Sequence, residues 1–324
     1  MFTTPLITVA IATCNRADIL KRSLTCLIDQ NFEQAGGYEV LTIDNGSTDK
    51  TEEIVRTFEQ ANGKAVQVRY VREEQKGLPF VRNMAVRESR GEWLAFFDDD
   101  QLTDPNWLET LYQTAISQDA RFVGGARDLQ IEVKDPLPLA KESRKLLGET
   151  SHQEAQPYHA KFLPSTGNVL IHKSIFDEVG MFDSDVLDGG EDSDFFSRVV
   201  SKGIKGVYNP KALVHHLITA NRLEADYMKW IAYRHGIHVA RRDVQTRGTF
   251  LSVCLACVRW GRMSFVYAPN RILAASRGQG EEVTGIDCKI EKSRGYFGYL
   301  WCQLFPTEFN RQRLAQRSMH RGQR

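Results

Sequence analysis

The chain reads as an α/β protein in which a mostly parallel central sheet, flanked by helices, is followed by a helical extension. Three observations predict this. Short apolar, β-branched runs alternate with amphipathic helical stretches through the first 126 residues. The loops between them are short, as in parallel sheets covered by helices on both faces. Beyond about Thr219 the strand signals fade.

In order, Ile7 to Thr13 reads as a strand, and Asp18 to Gln30 as a helix with Ile19, Leu20, Leu24, Leu27 and Ile28 at helical spacing. Tyr38 to Asp44 is a second strand, Asp49 to Gln60 a helix, Val66 to Val71 a third strand, Leu78 to Glu88 a helix and Trp93 to Asp98 a fourth strand. Asp104-Pro105 is a cap and first-turn pair, so Asn106 to Ser117 follows as a helix and Phe122 to Gly125 as a strand. Arg127 to Lys161 has weak periodicity and reads as a long excursion. Asn168 to His172 is a strand, Glu191 to Lys202 a helix stopped by Gly203, and Ile204 to Tyr208 a strand. Leu223 to Arg241 is an amphipathic, basic and aromatic helix of the kind suited to a membrane surface. The expected division is residues 1–218, with a nucleotide-binding half at 1–126 and a second half at 127–218, then a mainly helical extension at 219–324.

Bulk properties exclude several classes. A formal net charge of +1 gives no global attraction to nucleic acid. Six cysteines scattered among apolar runs read as free thiols of a reducing compartment, and Cys254-x-x-Cys257 lacks the second pair that a zinc site needs. The N-terminus lacks a signal peptide's basic flank and apolar core, and no uninterrupted apolar run approaches the ~18 residues of a membrane span, so a cytoplasmic location is expected.

The chemistry is carried by acidic residues at strand ends. Asp98, Asp99 and Asp100 emerge from the apolar run Leu94 to Phe97, at the sheet edge where ligands of open α/β sheets bind. Three adjacent carboxylates repel one another unless a cation or hydrogen-bond donors neutralise them, and hard oxygen ligands favour Mg2+ or Mn2+. The competing structural reading is a helix cap, a device Asp104 uses. The second strand ends in Asp44, Asn45, Gly46, Ser47, Thr48 and Asp49, at the same edge, where a carboxylate can accept from a base or ribose or simply cap the next helix. The first strand ends in Thr13, Cys14, Asn15 and Arg16, which excludes the glycine-rich dinucleotide and P-loop fingerprints.

With Val9 to Arg16, EVLTIDNGSTDKT at 39–51, GLPFVRN at 77–83, the aspartate triplet and GGEDSDFFSR at 189–198 in this order, the chain resembles the family 2 glycosyltransferases, with their GT-A fold, including those of succinoglycan-type exopolysaccharide synthesis. The resemblance covers roughly residues 5 to 216. It implies an inverting, metal-dependent transfer of one sugar from a nucleotide-diphosphate sugar, a UDP-sugar by family frequency, to a saccharide hydroxyl. By the same resemblance Asp44 contacts the base, Asp98 the ribose, and Asp100 the metal with Asp99 as its substitute. Arg82 and Asn83, with Gly77 before them, match the donor-side R-N pair, and Thr13, Asn15, Arg16 and Asn45 the nucleotide-binding loops. Ala12 and Cys14 depart from the proline and the aromatic ring common at their positions.

A second acidic cluster, Asp188, Glu191, Asp192 and Asp194, precedes or opens a helix. The family's E-D pair supplies the base, here Asp192 with Glu191 beside it, whereas Asp194 is best read as a carboxylate favoured by the helix dipole. The resemblance also implies a histidine near the metal or diphosphate, with His215 the candidate over His216. Trp93 and Trp107 read as core, Trp230 and Trp260 as facing lipid or acceptor.

Two rivals are weighed. A nucleotidyltransferase needs a glycine-rich basic loop that Thr13 to Asp18 does not provide, and a catalytically inactive saccharide-binding domain would not need Asp98, Asp100 and Asp192. A processive synthase is disfavoured because Ala256 replaces the glutamine of a Q-x-x-R-W element ending in Arg259 and Trp260. The expected acceptor is a lipid-linked oligosaccharide, polyprenyl-diphosphate linked. The expected membrane contact is the basic segment Phe305 to Arg324, with its five arginines against Glu308 alone.

Overall fold

The computed structural model describes residues 4–62, 66–134, 138–150, 152–186, 189–310 and 314. It divides into two compact units, one formed by Met1–Asp128 and Thr150–Leu217, the other by Leu129–Glu149 and Ile218–Arg324.

The first unit opens with β1 (Ile7–Thr13), α1 (Ala17–Ile28), β2 (Tyr38–Asp44), α2 (Thr51–Asn62), β3 (Gln67–Arg72), α3 (Leu78–Glu88) and β4 (Trp93–Asp98). The strands lie in the order β3-β2-β1-β4, all parallel. Alternate residues feed opposite layers. Val9 and Ile11 join Val40, Ala95 and Phe97 with Leu20, Leu24 and Leu27 of α1 on one face. Ala10 joins Leu41, Ile43, Leu94 and Phe96 with Val81 and Ala85 of α3 on the other. Both faces are covered, so β1, β2 and β4 are buried along nearly their whole length, whereas the edge strand β3 carries the partly exposed Gln67, Arg69 and Arg72. Register then aligns the carboxyl ends: Thr13 lies beside Asp44, and Ala12 beside Asp98.

Beyond β4 the chain adds β5 (Gln101–Thr103), α4 (Trp107–Ser117), β6 (Phe122–Ile131), β7 (Gln156–Pro157), β8 (Asn168–His172), α6 (Ser174–Val179), α7 (Glu191–Ser201) and β9 (Gly206–Ile218), with α5 (Lys141–Leu146) between β6 and β7. β8 runs antiparallel to β4 and to β6, and β5 antiparallel to β9, so the completed sheet is mixed, with its parallel part at the N-terminal half. β9 is longer than the predicted 204–208. Pro210 and the polar Asn209 and Lys211 interrupt the sequence signal, but Pro210 lies between Val207–Tyr208, which pair with β7, and Val214–His216, which pair with β5.

A buried amide stitches this half together. Asn168, 4% exposed, accepts from Trp107 Nε1 (2.9 Å) and donates to the carbonyls of Ala126 and Ala212 (2.8 Å each).

One boundary is corrected. Residues 129–149, assigned from the sequence to the second half of the sheet domain, belong to the helical unit, because Leu147 packs with Ile218, Met228, Ala232 and Cys288, and Leu139 and Leu146 pack against the same cluster. After the short α8 (Ala220–Leu223), the helix expected over 223–241 continues as α9 (Ala225–Arg262), broken at Gly248 (φ 79°) into two segments. A π-helical turn (Met263–Tyr267), α10 (Ala268–Ser276) and α11 (Gly280–Leu304) follow. Read as helix, Ala225–Ser276 is long and apolar enough by length and composition to cross a membrane, although Arg259 and Arg262 interrupt its apolar run. The cysteines are unpaired. The arginines 311, 313, 317, 321 and 324 lie outside the described residues.

Glycines set the spacing of α9 and α11: a Cβ at Gly236 would strike the backbone of Lys292 and Tyr296, whereas one at Gly261 meets nothing. Gly236→Ala should therefore lower unfolding free energy by about 1–3 kcal/mol through overpacking, while Gly261→Ala should be neutral or stabilising by up to ~1 kcal/mol. Equal melting temperatures for the two would refute the close approach. Asn168→Leu strands Trp107 Nε1 and two carbonyls, and should cost about 3 kcal/mol or more in denaturant unfolding.

Candidate active site

Two loops at the carboxyl edge of the parallel strands are laced together. Asn15, at positive φ (53°), donates its N–H to Ser47 Oγ (2.8 Å) and accepts from the Thr48 N–H through Oδ1 (2.8 Å). Asp49 accepts the Ala17 N–H (3.1 Å) at the start of α1. Asp44 is fully buried: it accepts from the Ser47 N–H and hydroxyl and from Tyr70 OH (2.7 Å). Burial and that bond to Asp44 push the Tyr70 hydroxyl up to about 12. The carboxylate expected to meet a base is thus engaged in holding its own turn. Asn45 is engaged likewise, donating to the carbonyls of Glu73 and Gln75 and accepting from the Gly77 N–H (3.0 Å), which fixes Gly77 (φ 132°) at the start of α3.

Two of the three adjacent aspartates share one cation. Arg16 Nη1 donates to Asp99 Oδ1 (2.8 Å) and Asp100 Oδ2 (2.9 Å), and Thr13 Oγ1 donates to Asp99 Oδ2 (2.8 Å). Burial, reinforced by the neighbouring Asp100, lifts the Asp99 carboxyl to about 6 despite Arg16. Burial on its own would lower the Arg16 guanidinium, but Asp99 and Asp100 outweigh it and raise its pKa above the ordinary value. Asp98, the first of the three, is the exposed one, its side chain 43% accessible, with Arg127 Nη2 at 4.0 Å. Gln101, donating to the Gly167 carbonyl and accepting from Arg127 Nε (3.1 Å), fixes that arginine. A side chain on Gly167 would run into Asp98, Arg127 and Gln101, so the backbone passes close to the carboxylate.

His216, not His215, lies beside the triplet. Its Nε2 is 3.5 Å from Asp100 Oδ1, while His215 Nδ1 bonds Asp128 Oδ1 at 2.7 Å. Successive residues of a strand point to opposite faces, so only one of the adjacent pair reaches Asp100, and pairing of Gln101 with His216 across β5 and β9 selects which.

The second acidic cluster opens α7 after Gly189 and Gly190, both at positive φ. Glu191 is buried and ion-paired with Arg82 of α3, itself buried. Burial depresses the Arg82 guanidinium, and the charges of Asp192 and Asp98 oppose that shift. The arginine therefore senses both acidic clusters, and with Asp98 and Thr166 it lines a small cavity above Ala12 and Phe97. Asp192 Oδ1 accepts the Ser193 N–H (2.6 Å), and Asp194 pairs with Arg198 one turn on (3.0 Å). Asn83 spends its amide on both backbone groups of Phe182 (2.9 Å each), which anchors the segment leading toward α7. Asp188 lies outside the described residues. Arg127, Gln101 and Gly167 are not singled out by the sequence as donor-side residues, and His216 stands there second to His215. Only the alternation of β9 offered a signal, and only for the histidine.

The donor chemistry fits a divalent ion of limited kind. Among the described residues no three His, Cys, Asp or Glu side chains form a protein-only cage. Mg2+ and Mn2+ are commonly held by one or two carboxylates plus phosphate and water oxygens, and the exposed Asp98, with the buried Asp100 close by in sequence, offers carboxylates of that kind.

The model of the family described as glycosyl transferase family 2 matches residues 8–180, just over half of the chain. Glycosyltransferase AglE of Haloferax volcanii is 28% identical over 58% of this chain and 60% of its own length. Chondroitin synthase of Escherichia coli is 25% identical over 61% of this chain, which is 32% of that protein. Succinoglycan biosynthesis protein ExoM of Rhizobium meliloti is 25% identical over 76% of this chain and 75% of its own. The chain thus spans well under two thirds of the first two. Among solved structures, the mannosyltransferase PcManGT from Pyrobaculum calidifontis, in complex with GDP-Man and Mn2+, has a TM-score of 0.62 at 17% identity, covering 90% of this chain and 87% of that one. S. aureus TarS 1-349 in complex with UDP-GlcNAc has a TM-score of 0.50 at 15% identity, covering 93% and 92%. These likenesses establish a GT-A fold with a helical C-terminal region. By its match over residues 8–180, on the half of the fold that carries the aspartate edge, the chain belongs to glycosyl transferase family 2.

Proposed function

We propose that the chain transfers a single sugar, with inversion, from a nucleotide-diphosphate sugar, UDP-linked in the first instance, onto a hydroxyl of a saccharide acceptor. The acceptor is a polyprenyl-diphosphate-linked oligosaccharide of surface polysaccharide synthesis, met on the cytoplasmic face of a membrane. The observation that carries the reading is Arg82: one buried guanidinium paired with Glu191 and subject to the charges of both Asp98 and Asp192. The Arg82–Glu191 ion pair, and the small cavity that Arg82 lines with Asp98, support assigning the two acidic clusters to one cleft, as donor and acceptor chemistry require.

Thr13, Asn15, Asp44 and Asn45 act through the bonded loops as the shelf for base and ribose. Gly77 and Asn83 fix the helix that presents Arg82. Asp98 and Asp100, with His216 in the place first given to His215, are the residues that would hold Mg2+ or Mn2+, which would supply positive charge to offset that of the diphosphate. Asp99 stays with Arg16 and Thr13 as support for its neighbours. Asp192 takes the proton of the acceptor hydroxyl as that oxygen forms its bond to the anomeric carbon. The bond from that carbon to the diphosphate breaks on the opposite side, and its electron pair leaves with the nucleoside diphosphate. Glu191 Oε2, buried and without a hydrogen-bond partner among the described residues, is available to accept from the incoming sugar.

A panel of UDP-, GDP- and dTDP-sugars, scored by Mn2+-dependent thermal stabilisation and by donor hydrolysis, tests the reading. Stabilisation near 3 kcal/mol is expected at a hundred-fold excess over Kd, and no response to any donor rejects it. Asp192→Asn should lower kcat for transfer by ~100-fold or more, the scale of a lost general base, with donor Kd nearly unchanged. Near-normal turnover would move the base elsewhere, Glu191 first. Asp100→Ala should instead abolish the Mn2+-dependent part of the donor's thermal shift.

A further inference from the structure

The helical unit exposes an apolar surface unlike anything on the sheet unit. In the second segment of α9, Phe250, Cys254 and Val258 recur at four-residue spacing and are exposed, while Ser252 and Ala256 on the opposite face are buried, Ala256 against Tyr296 and Leu300 of α11. Phe250 is 84% and Phe265 77% exposed, and Ile272, Trp301 and Phe309 are exposed with them. Trp230, Trp260, Trp301 and Leu304 line a groove of about 1030 Å³, with Lys229 and Arg294 among its walls. Monomeric proteins in water rarely leave so much large apolar surface uncovered.

Charge complementarity identifies what covers it. From residue 225 onward the sequence carries 17 Lys and Arg against seven Asp and Glu. The arginines inside the apolar stretch lie over aromatic faces: Arg259 stands 4.4 Å from the Tyr296 ring centre, and the exposed Arg262 5.6 Å from that of Tyr267. Lys289 lies over Tyr267 as well (5.9 Å). Tryptophan, exposed phenylalanine and cations with apolar stems are the composition of a surface that sits in the headgroup and upper acyl region of an anionic bilayer. Spanning is disfavoured, because one face of α9 is committed to α11 and to the buried Tyr296–Asp243 hydrogen bond (3.1 Å), and because Arg259 and Arg262 would enter the hydrocarbon.

We infer that the helical unit docks in-plane on an anionic lipid bilayer, inserting the exposed face of residues 250–273 and the tryptophan groove, without crossing it. The inference deepens the proposed membrane-borne acceptor and shifts the contact from the extreme C-terminal arginines to α9, the π-helical turn and α11.

The test is flotation of the full chain with phosphatidylcholine vesicles, with and without phosphatidylglycerol, combined with quenching of tryptophan emission by brominated acyl chains. Binding at least ~10-fold stronger to the anionic vesicles, weakened by salt, is expected from several basic residues near the surface, together with quenching. Phe250→Glu with Phe265→Glu should lower vesicle binding ~10-fold or more while leaving the melting temperature and the donor-induced thermal shift unchanged, since both side chains are solvent-facing. Absence of vesicle binding, binding that the double variant retains in full, or a lipid-insensitive homodimer by light scattering in which this face is covered would each overturn the inference. Loss of the donor shift with vesicle binding intact would instead sink the catalytic reading and leave this one standing.

Discussion

Burying a guanidinium is expensive unless anions surround it, and Arg82 is the buried cation that ties this cleft together. Its partner Glu191 is buried as well, so neither can be satisfied unless α3 and the first turn of α7 stay in register. The neighbouring Asn83 reinforces that register by clamping both backbone groups of Phe182, ahead of the two positive-φ glycines that start α7. Two consecutive residues of α3 therefore brace the acidic helix, one by charge and one by shape. Asp98, at the end of β4, lines the same small cavity as this arginine.

The triplet poses the opposite electrostatic problem, three acids with too little positive charge. Arg16 answers it only in part, binding Asp99 and Asp100 and leaving Asp98 exposed. The carboxyl that burial drives upward is the middle one, Asp99, which also accepts from Thr13. Its neighbours are the acids with a histidine or open solvent beside them. The triplet is thus internally differentiated: one member serves the packing of β1 against β4, and the flanking pair retains capacity for further positive charge.

The parallel half of the fold was legible because its constraints are local. Strands buried on both faces must be apolar runs, and Ile7–Thr13, Tyr38–Asp44 and Trp93–Asp98 have their predicted bounds. The second half depends on long-range pairing, which no window of sequence records. β6 and β9 outrun their apolar cores because polar residues are tolerated where ladder partners satisfy the backbone, and residues 129–149 follow leucines into the helical unit. The same distinction divides the site. Acid clusters at strand and helix ends are visible as types, but whether Asp44, Asn45 and Asn83 face a ligand or spend their polar atoms on backbone and neighbouring side chains depends on loops 30 to 100 residues away in sequence. Gly167 carries no signal at all, since its importance lies in what its missing side chain would strike.

A net charge of +1 also conceals more than it reports. The first 224 residues hold 25 Lys and Arg against 34 Asp and Glu, and the remainder reverses the balance. Screening at physiological salt confines such fields to roughly 8 Å, so each segment presents its own sign to whatever approaches it. Under the proposed function, the acidic edge opposes a nucleotide diphosphate unless positive charge is added beside Asp98 and Asp100, so donor capture would depend on a cation. A basic, tryptophan-bearing helical surface faces no such condition on an anionic bilayer, where apolar burial and headgroup attraction act in the same direction. The near-zero sum is therefore compatible with two oppositely signed segments, and it carries no information about either of the proposed ligands.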